Sequence, residues 1–287
     1  MKISLFIPCA LLCRVLCAAP PSSEDDNPDK QQYSIFHPAP REQMRDFNAD
    51  RPSQTEGPRT IDAGHFQLEW DFLNAALDYN SPDRTHSETW NVVPLNIRVG
   101  LLNDLEFDLI LDNFILSRTK DPAVGNYDKT AGIGDITTQF KFSLWGNDRG
   151  NTSFGIVPFV KLPLEASALR NGKTEGGLIL PLDVKLPGGW DLGVMTEWAF
   201  VNDDTGGYNA NFVNSIILGH KMTRRLSAYV EFLSVVSSAS HFQWIGQIDV
   251  GLTWSVSENT QFDCGCNSGV TKAAPDLIPF VGFSVRF

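Results

Sequence analysis

Apolar and polar residues alternate along most of the chain after Gly64. Residues 65–72 alternate without a fault, and the same period of two returns at 135–144 and 247–254. Because successive side chains of a strand point to opposite faces, this pattern predicts β-strands. In the first strand it puts four apolar side chains on one face: Phe66, Leu68, Trp70 and Phe72.

Two hairpins follow from the pattern. Folding residues 92–112 about Leu102 pairs Arg98 with Glu106 on one face and apolar residues on the other. Folding about Gly188 sets Lys185 against Asp191 in the same manner. In each hairpin, a single register places the charged pairs on one face and the apolar pairs on the other, which favours antiparallel pairing.

Counting such segments predicts about twelve strands, with short and long connections in alternation. They lie near residues 65–77, 89–100, 105–117, 134–145, 152–163, 177–187, 190–201, 211–221, 225–236, 242–255, 260–267 and 277–287. Alternating short and long connections are typical of outer-membrane barrels, in which periplasmic turns are short and extracellular loops are long. The predicted fold class is all-β, a transmembrane antiparallel up-and-down β-barrel.

A soluble sandwich or lipocalin-like barrel also alternates, so the aromatic residues decide between the two. Large aromatics on the apolar face stand near predicted strand ends, where the interfacial girdles of membrane barrels lie. They are Trp70, Trp190, Trp198, Trp254 and Phe287. The last strand alternates through Phe283 and Val285 to the terminal Phe287, which resembles the signal read by the barrel-assembly machinery.

Composition narrows the function further. The 287 residues carry 34 Asp+Glu against 23 Lys+Arg, a net charge of −11. This acidic balance argues against a nucleic-acid partner, because phosphates recruit a basic footprint. No run of 18 apolar residues follows the first twenty, which excludes a helical membrane protein.

The first residues read as an export signal. Lys2 precedes a mostly apolar stretch that ends at Ala18 and Ala19, so we expect a signal peptide over residues 1–19. Residues 20–62 are rich in Pro, Ser, Asp and Gln and are predicted to be an irregular periplasmic lead-in, with the barrel over 63–287. The mature chain keeps Cys264 and Cys266, which we expect to be small lipid-facing residues.

Several segments together resemble the outer-membrane transporter family named after the meta-pathway of phenol degradation. They are residues 50–58 (DRPSQTEGP), 63–69 (AGHFQLE), 98–101, 105–106, 132–135, 158–163, 274–276 and 280–287 (FVGFSVRF). Gln54, Gly57 and the Cys264-Gly265-Cys266 run depart from the family's pattern. The resemblance implies a barrel that transports solutes, and it carries over no catalytic residue.

With the apolar face turned to lipid, a set of charged side chains points into the lumen, and acids outnumber bases among them. The candidate lumen and selectivity residues are Glu69, Asp71, Arg98, Glu106, Asp108, Asp112, Lys141, Lys161, Glu231, Asp249 and Arg286. Either the carboxylates disfavour anions, or the charges pair across strands and hold the barrel's shape. Because the predicted register places no base opposite Asp71, Asp108 or Asp112, these three are the expected selectivity acids.

Asp50, Arg51 and Glu56 in the lead-in are candidate plug residues that would pair with lumen charges. The alternative is a tail that is ordered only near its junction with the barrel.

Enzyme readings have weaker support. A phospholipase-type barrel needs a serine beside a histidine, and only His241, with Ser237, Ser238 and Ser240, offers such a neighbourhood. A serine-rich extracellular turn explains it far better. No catalytic residue, metal site or cofactor is predicted.

The sequence therefore predicts an outer-membrane channel or passive transporter for small solutes, apolar or aromatic ones included. The alternatives are a barrel hydrolase and a non-conducting structural barrel. The expected partners are outer-membrane lipid, the barrel-assembly machinery and a small-molecule solute, in the outer membrane of a Gram-negative-type bacterium.

Overall fold

The computed structural model describes residues 30–79, 85–120, 125–163, 173–203 and 206–287. The predicted signal peptide, residues 1–19, lies outside these ranges. Two short 3-10 turns at Lys30–Gln32 and Arg41–Gln43 precede the sheet. No helix among the described residues has the length and hydropathy needed to span a membrane.

Fifteen strand segments make up the sheet. They are β1 (Phe66–Asp78), β2 (His86–Val92), β3 (Leu95–Leu102), β4 (Leu105–Leu111), β5 (Phe114–Lys120), β6 (Tyr127–Gly132), β7 (Ile136–Trp145), β8 (Thr152–Leu162), β9 (Glu175–Leu186), β10 (Trp190–Asn202), β11 (Tyr208–Lys221), β12 (Leu226–Ser237), β13 (Ile245–Ser257), β14 (Thr260–Gly269) and β15 (Leu277–Arg286).

Twelve of these segments close a barrel. Each of β1, β3, β4 and β7 to β15 pairs antiparallel with the next, and β15 returns to pair with β1 from Gln67 opposite Arg286 to Leu77 opposite Leu277. Closure leaves no free sheet edge in this ring. The predicted twelve-stranded up-and-down barrel is confirmed.

Two strands that the alternation predicted as continuous are interrupted: β2 and β3 break at Val93 and Pro94, and β4 and β5 break at residues 112–113. A further segment, β6, was not predicted, and residues 133–135 separate it from β7. Val93 takes a left-handed φ of 52°, and proline has no N–H for the ladder, so a regular strand cannot run through this pair. The segments beyond these breaks still form antiparallel pairs: β1 with β2, β2 with β5, and β5 with β6.

The two predicted hairpin registers had different outcomes. In β9 and β10, Lys185 lies opposite Asp191 as expected, around a turn in which Gly188 and Gly189 adopt positive φ. In β3 and β4 the expected pairing of Arg98 with Glu106 is wrong: Arg98 lies opposite Asp108. The turn is shorter than expected and a bulge follows Gly100, which shifts the register by two residues and leaves each side chain on its predicted face.

The barrel is polar inside and apolar outside. Arg98, Lys141, Glu106, Asp108 and Asp249 are among its most deeply buried side chains, each 0% exposed. On the outer face Trp190, Trp198, Trp254 and Phe287 are 41 to 55% exposed, while Trp70 is half-buried with its ring 4.8 Å from that of Phe283. A water-soluble barrel would not expose such a belt, so the outer face lies against lipid.

The two ends of the barrel differ. The short connections, residues 103–104, 146–151, 187–189, 222–225 and 258–259, lie at one end, called here the tight-turn end. The start of β1 and the end of β15 lie there too, since the backbone N–H of Phe287 donates to the carbonyl of Phe66 at 2.8 Å. The longer connections lie at the opposite, long-loop end.

Candidate functional site

Residues 45–62, called here the lumen segment, enter the barrel from the tight-turn end and return to it. At the entry, Arg45 donates to Asp148 Oδ1 at 2.9 Å and to the carbonyl of Asn103 at 3.0 Å. On the way back, the Thr60 hydroxyl donates to the same carbonyl at 2.8 Å. Burial acts in the opposite direction, but the hydrogen bond and charge of Arg45 hold the pKa of Asp148 below its usual range. Both ends of the segment are thus fixed to the short turns.

One side of the lumen segment meets a cluster centred on Arg98. The guanidinium lies 2.7 Å from Glu106 Oε1, 2.8 Å from Glu69 Oε1 and 3.1 Å from Asp50 Oδ2. Asp108 Oδ1 lies 4.0 Å away. A single arginine therefore binds carboxylates from two strands, β1 and β4, and from the segment. Buried charges of this kind are retained when they are paired and hydrogen-bonded.

Lys141 on β7 extends this cluster. Its ammonium lies 2.7 Å from Asp50 Oδ2, 3.2 Å from Glu56 Oε2 and 3.8 Å from Glu106 Oε1. Asp50 thus bridges Arg98 and Lys141. Burial and the nearby charge of Asp50 raise the pKa of Glu56 to about 7, although Lys141 and Arg98 act in the opposite direction.

The same place brings together the carboxylates that are best arranged for a metal ion among the described residues. Oxygens of Asp50, Glu106 and Asp108 lie within 4.8 Å of one another. Because Lys141 and Arg98 already pair with these carboxylates, the protein's own cations offset part of the negative charge that a metal ion would need. We assign it to fixing the lumen segment.

A second arginine, Arg51, joins the segment to the neighbouring strands. It lies 2.5 Å from Asp71 Oδ1 on β1 and 2.7 Å from Asp263 Oδ1 on β14. The expectation that Asp71 and Asp108 lack a base is therefore wrong, because Arg51 comes from outside the strand register and Arg98 lies opposite Asp108.

The other side of the segment meets an acid pair, Glu231 on β12 and Asp249 on β13, which lie opposite each other. Glu231 accepts the backbone N–H of Gln54 at 2.9 Å and that of Thr55 at 2.7 Å, and it also accepts the Thr55 hydroxyl. The Gln54 amide donates to Asp249 Oδ2 at 2.7 Å. None of the ion pairs among the described residues includes either acid.

The remaining predicted lumen residues lie away from these two clusters. Lys161 pairs with Asp135 at 3.2 Å near the long-loop end. Asp112 is half-buried at a strand break and accepts the Asn91 amide at 3.1 Å. At the tight-turn end, Arg286 donates to the carbonyl of Arg45 at 2.9 Å.

One part of the lumen wall was missed from the sequence. Val157, Ile179 and Met195 are buried together on the inner face of β8, β9 and β10, and Phe159 and Val213 pack against them. The signal was present, since these strands are apolar at inward as well as outward positions. It was overlooked because the inner face was assumed to be polar throughout.

Two cavities lie on either side of the segment's apex, residues 53–56. A cavity of about 700 Å³ opens beside β9 to β11 near the tight-turn end, and its lining includes Asp183, Leu192 and Ile217. A second, of about 210 Å³, is lined by Pro94, Asn96 and Ile110. Both also touch Asp50, Ser53, Thr55 and Glu56. The apex of the segment is therefore the partition between them.

The serine and histidine residues of the hydrolase reading lie in the connection between β12 and β13. Ser237 and Ser238 accept backbone N–H groups of Ala239 and Ala210. His241 is exposed, and no hydrogen bond joins its side chain to a serine within the described residues. The serines act as turn caps in this loop.

Comparison with known protein families shows which family the chain belongs to. Residues 49–287 match the model of the family described as "Putative MetA-pathway of phenol degradation". The chain belongs to this family. The match starts inside the lumen segment, so Asp50, Arg51 and Glu56 fall within the region that the phenol-degradation family model spans. The resemblance read from the sequence is confirmed.

This family member is similar to several solved barrel structures. The COG4313 outer membrane channel from Pseudomonas putida F1 matches with a TM-score of 0.56 at 11% identity, over 84% of this chain and 100% of that one. The β domain of the Bordetella autotransporter BrkA gives 0.47 at 10%, over 78% and 98%. The NanC porin gives 0.45 at 8%, over 77% and 97%. Curated proteins give no match.

At 11% identity, the likeness to the Pseudomonas putida channel establishes the barrel fold alone. Together with the apolar outer belt, it makes the chain an outer-membrane barrel of the Gram-negative type.

Proposed function

We propose that the protein is a passive channel for small solutes, apolar or aromatic ones included, with the lumen segment as a plug that sets the constriction. The observation that carries the proposal is the partition: one short apex separates two cavities inside a closed barrel. The larger cavity, about 700 Å³, gives a small solute room on one side of the ion-paired segment.

The kinship supports the same conclusion. The family's description refers to phenol degradation, and the similar barrel from Pseudomonas putida F1 is called an outer membrane channel. Both observations are explained if the protein transfers solutes across the outer membrane. Small aromatic solutes are therefore the first to test.

Ion preference follows from the acid pair. Glu231 and Asp249 lie on the lumen wall beside the apex and accept hydrogen bonds from neutral donors only. Uncompensated carboxylates raise the barrier for anions and lower it for cations. We infer a weakly cation-preferring pore in which Arg98 and Lys141 offset part of the negative charge of the acids next to them.

Purified protein in planar bilayers and liposomes tests the channel. We expect current steps in salt, and swelling with neutral, cationic and aromatic solutes at rates above those of protein-free liposomes. Anionic solutes should enter more slowly. A folded, heat-modifiable barrel that is silent in both assays would contradict the proposal and leave a structural role.

Orientation is part of the proposal: the tight-turn end faces the periplasm. Short turns and both chain ends lie on that side in outer-membrane barrels. A peptide tag inserted at Gly206 should be labelled on intact cells, and one at Gly188 should be silent. The reverse labelling would invert the assignment.

Recognition by the barrel-assembly machinery is proposed for the last strand. Phe283 and Val285 lie on the outer face of β15, and Phe287 follows it, 55% exposed. We expect deletion of Phe287 to lower the amount of heat-modifiable barrel in the outer membrane. Unchanged levels would contradict recognition through this residue.

A further inference from the structure

Glu197 lies within the apolar part of the lumen wall. On β10 it shares the inner face with Met195 and Ala199, both buried, while Trp198 and Phe200 between and beyond them are 49% and 59% exposed on the outer face. The side chain of Glu197 therefore belongs to the lumen.

Its inward neighbours are apolar on both sides. Glu197 lies opposite Ile179 on β9 and opposite Val213 on β11. Ile179 in turn lies opposite Val157 on β8, and both belong to the buried cluster with Met195. One carboxylate thus projects from a wall that spans four strands and carries no other charge beside it.

Glu197 also differs from the other acids of the lumen. Asp50, Glu106 and Asp71 have a basic partner, and Glu231 accepts hydrogen bonds from the lumen segment. No hydrogen bond or ion pair reaches the Glu197 side chain within the described residues. It is half-buried, so the carboxylate remains open to the lumen.

The plug ends just below this position. The backbone N–H of Glu56, at the apex, approaches the sulfur of Met195 at 3.3 Å. Glu197 lies two residues further along the strand, about 7 Å nearer the long-loop end by the rise of a β-strand. A solute that stops above the plug would therefore rest beside Glu197.

We propose that Glu197 and the half-buried Val213, beside the buried cluster of Ile179 and Met195, form a lumen binding site for small organic cations that carry one ammonium group on an apolar or aromatic body. The ammonium pairs with the unpartnered carboxylate, and the body packs on the apolar wall. A charge-assisted hydrogen bond is about twice as strong as a neutral one, so an amine is favoured over an alcohol of the same shape. The surplus of lumen acids attracts cations in addition. This inference rests on the proposed channel and names a solute class for it.

Equilibrium binding to the full-length barrel in lipid nanodiscs tests the site, with empty nanodiscs as background. Three probes of one shape are compared: benzylammonium, benzyl alcohol and benzoate. We expect benzylammonium to bind about tenfold more tightly than benzyl alcohol, which corresponds to one charge-assisted hydrogen bond, and benzoate to bind most weakly.

Variants of the site residues test which side chains contact the probes. Glu197→Gln should weaken benzylammonium about tenfold and leave benzyl alcohol unchanged, because only the charge is lost. Val213→Asn should weaken both probes. Asp191→Asn, on the same strand and face but outside the apolar wall, is the matched control and should bind all three probes as the native protein does.

Equal affinity of the native protein for benzylammonium and benzyl alcohol would overturn the site, whether or not a variant folds. Benzylammonium affinity retained in folded Glu197→Gln, or lost equally in Asp191→Asn, would do the same. Conduction measured in parallel separates the two proposals. Flux of aromatic solutes without selective amine binding contradicts the site alone, whereas amine binding without any flux contradicts the channel.

Discussion

The two sides of the lumen segment are held by different chemistry. Towards β3, β4 and β7, Asp50 and Glu56 meet Arg98 and Lys141 in a buried network of opposite charges. Towards β12 and β13, backbone N–H groups and the Gln54 amide meet carboxylates with no cation among them. The first side holds two cations among five carboxylates, whereas the second holds no cation and leaves its negative charge in the lumen.

This difference separates the residues that attach the lumen segment from those that set the ion preference of the pore. Breaking a buried ion network exposes uncompensated charges to a low-dielectric interior, which is costly. Removing one carboxylate from the acid pair deletes hydrogen bonds but also relieves repulsion between the two acids. We therefore expect the ion-paired side to govern stability and the acid side to govern ion preference.

The largest effect is expected from Arg98→Met. Four carboxylates would lose their shared cation, and the free energy of unfolding should fall by about 3 to 5 kcal/mol. Urea unfolding of the refolded barrel in lipid measures this. Arg225→Met, on an exposed turn, is the control and should change the value by less than about 0.5 kcal/mol. Equal losses in the two variants would contradict a structural role for the Arg98 network.

The pH dependence of plug docking is the next largest effect. Glu56 has a pKa of about 7 when docked and an ordinary value of 4.5 when exposed to water. The docked state therefore binds its proton more tightly, and docking is strongest below about 4.5 and weakens as pH rises to about 7. Each pKa unit corresponds to about 1.4 kcal/mol.

Channel opening in planar bilayers should accordingly increase between pH 4.5 and 7 and level off above it. Glu56→Gln removes the titrating group and should abolish this slope. A slope of the opposite sign, or the same slope in the variant, would show that another group controls docking.

A smaller effect is expected on the acid side. Neutralising both Glu231→Gln and Asp249→Asn should shift the reversal potential in a salt gradient towards anions. The shift should shrink at high salt, because the Debye length falls from about 10 Å at 0.1 M to about 3 Å at 1 M. Stability should change by no more than about 1 kcal/mol, since both amides still accept hydrogen bonds.

Glu258→Gln is the matched control for that shift. It removes a carboxylate from an exposed turn between β13 and β14, outside the lumen. Its reversal potential should remain near the native value. An equal shift of the reversal potential in both variants would mean that the acid pair affects ion preference no more than a carboxylate outside the lumen does.

The sequence predicted the strands of the barrel wall better than the contacts of the lumen segment inside it. Alternation places each side chain on a face, and a register error of two residues, as at Arg98 and Asp108, leaves the face unchanged. The turn at Gly188 and Gly189 fixes its own register because both residues need positive φ. Pro94 was a readable sign of an interrupted strand and was not used.

The contacts of the lumen segment could not be predicted in the same way. Gln54 and Thr55 bind residues about 180 positions further along the chain, and a loop has no period that encodes its partners. The candidate plug residues Asp50, Arg51 and Glu56 were predicted from their charges and from the family resemblance of their segment. That prediction found the ion-paired side and missed the neutral donors that reach Glu231 and Asp249.

The central claim is that residues 45–62 plug the lumen and must move for solutes to pass. Thr55 Oγ1 and Ser215 Oγ lie 2.6 Å apart across the apex, so Thr55→Cys with Ser215→Cys should form a disulfide. Cys264 and Cys266 are replaced by serine to keep other thiols out, and the single Thr55→Cys variant is the control. We predict low, rarely open conductance when the pair is oxidised and a several-fold rise on reduction, with no change in the control. Equal conductance in both redox states of the cross-linked channel would contradict the plug.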